Sequence, residues 1–250
     1  MSASAMSGRL TGKTIVITGA SSGIGRSTAT EFARTAPKDL KLVLTARRLE
    51  TLEEVAAEIK KEVGDGVKVL PFKLDVSQPE EVKTFVERLP EDVSGRRTGL
   101  VKGVAQAPSI EEEDLNVMFA TNKRAEGGKG DIINIGSIAG REPYAGGSIY
   151  CSTKAAVKSF TDALRKELVA TRIRVISVDP GQVETNFSVV RFYGDKSKAD
   201  AVYAGCEPLT PEDIAEIIVF AAGRRENVVV ADTLVFPSHQ ASAGVMHRKT

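Results

Sequence analysis

Short runs of β-branched and other apolar residues alternate along the chain with longer stretches in which apolar side chains recur at every third or fourth position. The short runs are TIVIT (Thr14 to Thr18), KLVLTA (Lys41 to Ala46), VKVLPF (Val67 to Phe72), DIINI (Asp131 to Ile135), IRVISV (Ile173 to Val178) and TLVF (Thr233 to Phe236). Between them the spacing predicts helices over 24–35, 50–62, 79–89, 111–121, 149–170 and 211–223. Such an alternation belongs to a sheet covered on both faces, wound by right-handed crossovers. The expectation is an α/β, doubly wound Rossmann-type parallel sheet with helices on both faces, with residues 1–250 forming a single domain.

Two helix starts are marked by more than periodicity. Ser77-Gln78-Pro79-Glu80 places a capping hydroxyl two residues ahead of a proline, and Thr210-Pro211-Glu212-Asp213 has threonine, proline and early acids in the same order. In the helix predicted over 149–170, Ala155, Ala156, Phe160, Ala163, Leu164 and Leu168 form a small, apolar stripe suited to close packing.

Two intervals break the pattern. From Pro90 to Gly130 the only strand candidate is GLVKGVA (Gly99 to Ala105), and the helix begun by Glu111-Glu112-Glu113-Asp114 stops at KRAEGGKG. The interval 90–130 is therefore expected to lack part of the fourth strand and of the helix after it. The second interval, 186–206 (NFSVVRFYGDKSKADAVYAGC), mixes apolar, aromatic and charged groups and is read as a substrate lid.

Composition narrows the function classes. With 34 Lys+Arg against 33 Asp+Glu, the net charge of +1 gives no case for a nucleic acid or an anionic membrane as partner. Two cysteines make no disulfide framework, and two histidines near the C-terminus make no zinc site. No apolar run approaches about 18 residues, and MSASAMSGRL has no basic n-region, so a cytoplasmic location is expected.

Candidate chemistry begins at the first strand–helix junction. In Thr18-Gly19-Ala20-Ser21-Ser22-Gly23-Ile24-Gly25, glycines at 19, 23 and 25 allow a tight turn and bring a pyrophosphate close to the backbone at a helix N-terminus, with Ser21, Ser22 and Ile24 alongside. An NAD site places an acid about 20 residues further on, whereas a 2′-phosphate needs a cation there. Thr45-Ala46-Arg47-Arg48 has cations and no acid, which favours NADP, with Arg47 on the phosphate and Arg48 or Arg26 assisting. Surface pairing of these arginines with Glu50, Glu53 or Glu54 is the alternative. Asp75 could accept from the adenine amine or could cap a turn.

Tyr150 and Lys154 stand four apart at the start of the predicted long helix, hence on one face. A free phenol titrates near about pH 10, and a nearby ammonium is expected to favour the phenolate. Ser137, just after DIINI, offers a hydroxyl at the C-terminal edge of the sheet, and Pro180-Gly181-Gln182-Val183-Glu184-Thr185 follows IRVISV at the same edge. Cys151, beside Tyr150, is read as packing. Arg191 and Arg141 are candidates for binding a substrate carboxylate.

Taken in order, TGASSGIG, NIGSIAG, Tyr150 with Lys154, and DPGQVET resemble the short-chain dehydrogenase/reductase family over nearly the whole chain. The resemblance implies that Ser137, Tyr150 and Lys154 are catalytic, and that Asn122 completes a tetrad by holding a water. It also implies that Pro180, Gly181, Val183 and Thr185 meet the nicotinamide end of NADP, with Thr185 on the carboxamide. SIAGREPYAGGSIYCSTKAAVKSFTDALRKEL, RIRVISVDPGQVETNFSVVRFYGD and VVVADTLVFPSHQAS are similar to the NADP-dependent branch of that family acting on serine, allo-threonine and other 3-hydroxy acids or short carbonyl compounds, usually as homotetramers. The family's NNAG motif and the helix continuing beyond Asn122 are missing. A non-catalytic NADP-binding sensor or scaffold is the alternative reading.

Overall fold

The computed structural model describes residues 3–94, 98–102 and 129–249. Strands β1 (Thr14–Thr18), β2 (Leu40–Ala46), β3 (Val67–Lys73), β4 (Thr98–Lys102), β5 (Lys129–Ile135), β6 (Arg172–Pro180) and β7 (Asp232–Val235) form one sheet in the order β3-β2-β1-β4-β5-β6-β7. Each neighbouring pair is parallel, as the continuous apolar runs predict. The chain winds outward from β1 to β3 and then returns to β4 on the other side of β1, so the switch of direction lies between β1 and β4. In such sheets a ligand crevice opens there, beyond the C-terminal strand ends.

Alternate residues of β1, β2, β5 and β6 feed two separate cores. Ile15, Ile17, Leu42, Leu44, Ile133 and Ile176 face α2 (Gly23–Thr35), α3 (Leu49–Val63) and α9 (Pro211–Ala222), where Phe32, Leu52 and Ile214 are fully buried. Val16, Val43, Ile132 and Val175 face the other way, onto Phe85, Leu89 and Leu164, the last from α6 (Ser148–Glu167). Burying one such side chain contributes roughly 1.5–3 kcal/mol, and the two-sided demand explains why the strands read as unbroken apolar runs.

The marked helix starts behave differently from one another. Thr210 caps α9 with a reciprocal capping box to Asp213 and Pro211 at the first turn. Ser77 does not cap α4 (Pro79–Thr84): Gln78 is the N-cap, and the Ser77 hydroxyl instead donates to Asp75 Oδ1 at 2.7 Å. The helix predicted over 79–89 ends at Thr84, whose hydroxyl bonds back to the Glu80 carbonyl at 3.0 Å and competes with the helical ladder. Phe85 and Leu89 nevertheless reach the core. No periodicity announces α1 (Ala3–Leu10), which has Gly8 inside it, yet Leu10 is fully buried.

Within the interval 90–130 a short α5 (Glu91–Ser94) precedes β4. β4 fills the central place where part of a strand was expected to be lost, pairing Thr14↔Thr98 through Ile17↔Val101 on one side. On the other side it pairs β5 only from Leu100↔Ile132 to Lys102↔Asn134. Residues 103–128, with Asn122 and the helix predicted over 111–121, lie outside the described residues. The interval 186–206 contains two short helices, α7 (Phe187–Arg191) and α8 (Lys196–Tyr203). Among the described residues no helix is long and apolar enough to cross a membrane.

Candidate active site

A cleft of about 1060 Å³ opens along the C-terminal strand ends, at the upper end of the range for small-molecule sites. It runs from Arg47, Arg48 and Asp75 beyond β2 and β3, past the β1–α2 loop, to Tyr150 and Arg191. Every proposed cofactor residue of the β1–α2 loop lines it: Gly19, Ser21, Ser22, Gly23, Ile24 and Gly25.

The loop is built for a close-lying anion. Gly19 has φ +70° and faces open space, so no side chain intrudes where the crevice begins. A Cβ on Gly25 would run into the Gly19 carbonyl group, 2.8 Å from its carbon, so only glycine lets the helix start so close to the strand end. Ser22, the N-cap of α2, makes no side-chain cap hydrogen bond. The amides of the first turn are therefore available to a phosphate, with the positive end of the helix behind them.

At the far end, Arg47 and Arg48 are exposed and make no ion pair among the described residues; the alternative of pairing with Glu50, Glu53 or Glu54 is not realised. Arg26 is different: its guanidinium is engaged by Glu58. Asp75 does act as a turn cap, its Oδ1 accepting from the Ser77 amide at 3.0 Å. Those bonds from Ser77 hold its carboxyl below the usual range, and the Arg47 charge adds to the effect.

At the other end β5, α6 and β6 bring the chemistry together. Ser137 is buried at the end of β5, and its Oγ accepts from the Ala139 amide at 3.1 Å, which fixes its direction. Tyr150 and Lys154 occupy successive turns of α6 and both line the cleft. Lys154 is 4% exposed and donates from Nζ to the Ile135 carbonyl at 2.9 Å. Burial lowers its pKa to about 8 against the opposing pull of Asp179.

The expected depression of the tyrosine is not met in the free protein. The Tyr150 phenol is pushed up by burial, which outweighs the opposing hydrogen bond with Ser137 and the attraction of Arg191. Lys154 Nζ lies 5.9 Å from the centre of the Tyr150 ring and is directed to a backbone carbonyl, so it does not offset the desolvation. Burial thus keeps Tyr150 as the neutral phenol in the free protein.

Pro180 and Gly181 close β6, with the Gly181 amide donating to the Val235 carbonyl at 2.7 Å. Val183 and Thr185 follow along the cleft wall; a Cβ on Gly23 would lie 3.6 Å from Thr185 Cγ2, so the two loops face each other across the crevice. Thr185 Oγ1 accepts from the Phe187 amide at 3.2 Å, starting α7. The Phe187 ring packs on Tyr150 with centroids 5.6 Å apart.

Arg141 does not reach the cleft as a free cation. Its guanidinium holds Asp179 Oδ2 at 2.6 Å and also engages Asp232. Arg191, in contrast, lines the cleft, stacks near Tyr144 and Phe192, and makes no ion pair among the described residues.

Pattern reading missed the C-terminal tail. Gln240, Ala243 and Met246 line the cleft, and Gln240 Oε1 accepts from the Gln182 amide at 2.8 Å. Arg248 donates to the carbonyls of Ala204 and Val202, tying the tail to the end of α8. No sequence signal marks these contacts, because they arise only when β7 places the tail beside the 186–206 interval. Among the described residues no group of His, Cys, Asp or Glu could hold a metal ion.

Comparison with known proteins agrees with this geometry. The model of the short chain dehydrogenase family matches residues 13–125 and 115–193. The chain is 54% identical to the NADP-dependent 3-hydroxy acid dehydrogenase of Schizosaccharomyces pombe, covering 96% of this chain and 98% of that one. It is 33% identical to a serine 3-dehydrogenase of Rhizobium radiobacter, covering 92% and 96%. Among solved structures, the closed form of serine dehydrogenase complexed with NADP+ superposes with a TM-score of 0.72 at 34% identity, covering 94% of this chain and 100% of that one. The L-sorbose reductase of Gluconobacter frateurii, complexed with NADPH and L-sorbose, gives 0.75 at 28% identity, covering 91% and 96%. A doubly wound sheet, a glycine cradle at its switch point and a Ser137–Tyr150–Lys154 cluster at the same edge thus coincide with matches along almost the whole length, and this chain belongs to the short-chain dehydrogenase family.

Proposed function

We propose that the protein is an NADP-dependent oxidoreductase that interconverts the 3-hydroxyl of a small 3-hydroxy acid, such as serine or allo-threonine, with the corresponding carbonyl. NADP, when bound, would supply or receive the hydride. The glycine cradle fits its pyrophosphate, and Arg47, with Arg48 beside it, fits the 2′-phosphate. Tyr150 as a neutral phenol gives its proton to the substrate oxygen during reduction and takes it back, as phenolate, during oxidation. Ser137 hydrogen-bonds the same oxygen and steadies charge developing on it. Lys154, as an ammonium held at the Ile135 carbonyl, would bind the nicotinamide ribose. Thr185 meets the carboxamide, and Asn122 holds a water in the proton path.

The observation that supports an acid as substrate is Arg191, a guanidinium without an ion pair among the described residues, in the cleft that holds Tyr150. A bidentate carboxylate contact there would direct the rest of the substrate toward Tyr150, which lines the same cleft and feels the Arg191 charge. The 186–206 interval acts as a lid, with Phe187 closing on Tyr150. The names of the relatives support the same substrate class. A cytoplasmic homotetramer belongs to the same proposal; sedimentation would test the assembly and cell fractionation the location. The functional test is NADPH oxidation with 3-oxo acids against neutral carbonyl compounds of equal size. Arg191→Ala should raise KM for the acids about 10–100-fold while leaving the neutral compounds unchanged. Equal losses for both would remove Arg191 from substrate recognition, and no turnover by the folded protein would favour the sensor or scaffold.

A further inference from the structure

Lys154 is a cation in a place that resists cations. It is 4% exposed, and its Nζ rests on the carbonyl of Ile135. The next residue, Gly136, is in contact with a second buried charge: a Cβ there would collide with Asp179 Oδ1. A single peptide, Ile135–Gly136, therefore stands between the ammonium and a carboxylate that is fully buried.

Asp179 is fixed on three sides. Its Oδ1 accepts from the Ser177 hydroxyl at 2.7 Å, its Oδ2 accepts from Arg141 Nε at 2.7 Å, and the glycine backbone closes the third side. Arg141 divides its charge between Asp179 on β6 and Asp232 on β7, and Asp232 also accepts from Lys158 of α6 at 3.1 Å. Among the described residues, the other ionisable group that Lys154 meets is Tyr150 on its own helix, and Cys151 and Arg191 act in turn on Tyr150. Asp179 is the carboxylate that opposes the desolvation of Lys154.

We propose that Asp179 is a positioning residue of the active centre: its buried carboxylate, held by Arg141 and Ser177 against Gly136, keeps Lys154 as an ammonium directed at the Ile135 carbonyl. It touches neither substrate nor cofactor and acts through Lys154. Arg141 moderates the effect by drawing part of the negative charge away. The proposal rests on the reading of Lys154 as a cofactor-binding cation.

The test is NADPH affinity against pH, by fluorescence titration without substrate, in the full chain and in Asp179→Asn. With Asp179, affinity should hold until pH rises through about 8, where Lys154 loses its proton. In Asp179→Asn the fall should begin at lower pH, with about a tenfold extra loss for each unit by which the onset moves. At the acid end the two affinities should agree. Identical pH dependence, or a uniform loss at every pH, would overturn the proposal, the second being what a merely structural role produces. If Asp179→Asn does not fold, Asp179→Asn with Arg141→Leu removes acid and cation together, a change that buried pairs tolerate better than loss of one partner. It should show the same early fall, and an unmoved profile there is equally contrary. Absence of reductase activity in the unaltered protein would strike the functional reading alone, since the titration uses no substrate.

Discussion

Lys154 Nζ donates to the carbonyl of Ile135 at 2.9 Å, so the cation of α6 is anchored to the end of β5, one residue before the turn that presents Ser137. Helix, strand end and loop are locked in one contact. A mobile ammonium would lose that alignment, because a buried charge with no fixed acceptor shifts or deprotonates.

This anchoring has a pH signature in stability. The folded-state pKa of Lys154, about 8, lies below its ordinary 10.5, so between those values the unfolded chain binds the extra proton. The lysine therefore destabilises the fold at neutral pH by about 3 kcal/mol, and the penalty fades as pH rises through that window. Lys154→Met should remove the pH dependence: its stability relative to the unaltered protein is most favourable below pH 8 and declines towards pH 10.5. Denaturant melts across this range check the slope, which the loss of the Ile135 hydrogen bond does not alter. A difference constant with pH would contradict it.

Cofactor choice should reside in Arg47. Arg47→Ala is expected to weaken NADPH binding about 10–100-fold, the worth of a charge-assisted phosphate contact, and to leave NADH nearly unchanged. Fluorescence titration with both nucleotides measures the ratio. Arg26→Ala should change neither, because its guanidinium is already held by Glu58.

Gly25→Ala tests the cradle. The added methyl meets the Gly19 carbonyl group, and neither backbone can move without shifting β1 or α2. A stability loss of roughly 1–3 kcal/mol is expected, as for other overpacked sites, together with weaker NADPH binding. Thermal melts with and without nucleotide give both quantities, and an unchanged pair would refute the close-packing argument.

Much of this site was legible in the sequence because its motifs sit where the topology forces them. TGASSGIG, NIGSIAG and DPGQVET each follow a strand whose unbroken apolar character already required a parallel partner, so all three had to meet at one sheet edge. What escaped was set by tertiary contact. Arg141 and Arg191 are alike as letters, yet Arg141 is turned aside by Asp179, which entered the sequence reading only as the first letter of DPGQVET, with no role of its own. The upward shift of Tyr150 depends on how deeply α6 sinks against Phe187, which no spacing reveals. Ser77 failed as a cap because Asp75, two residues earlier, captured its hydroxyl.

The most direct test of the account is the rate of NADPH oxidation by Tyr150→Phe with a 3-oxo acid substrate, measured alongside its NADPH affinity. General acid catalysis by the phenol predicts a fall of about 100–10,000-fold in kcat with nucleotide affinity preserved. A rate within a few-fold of the unaltered enzyme would contradict it.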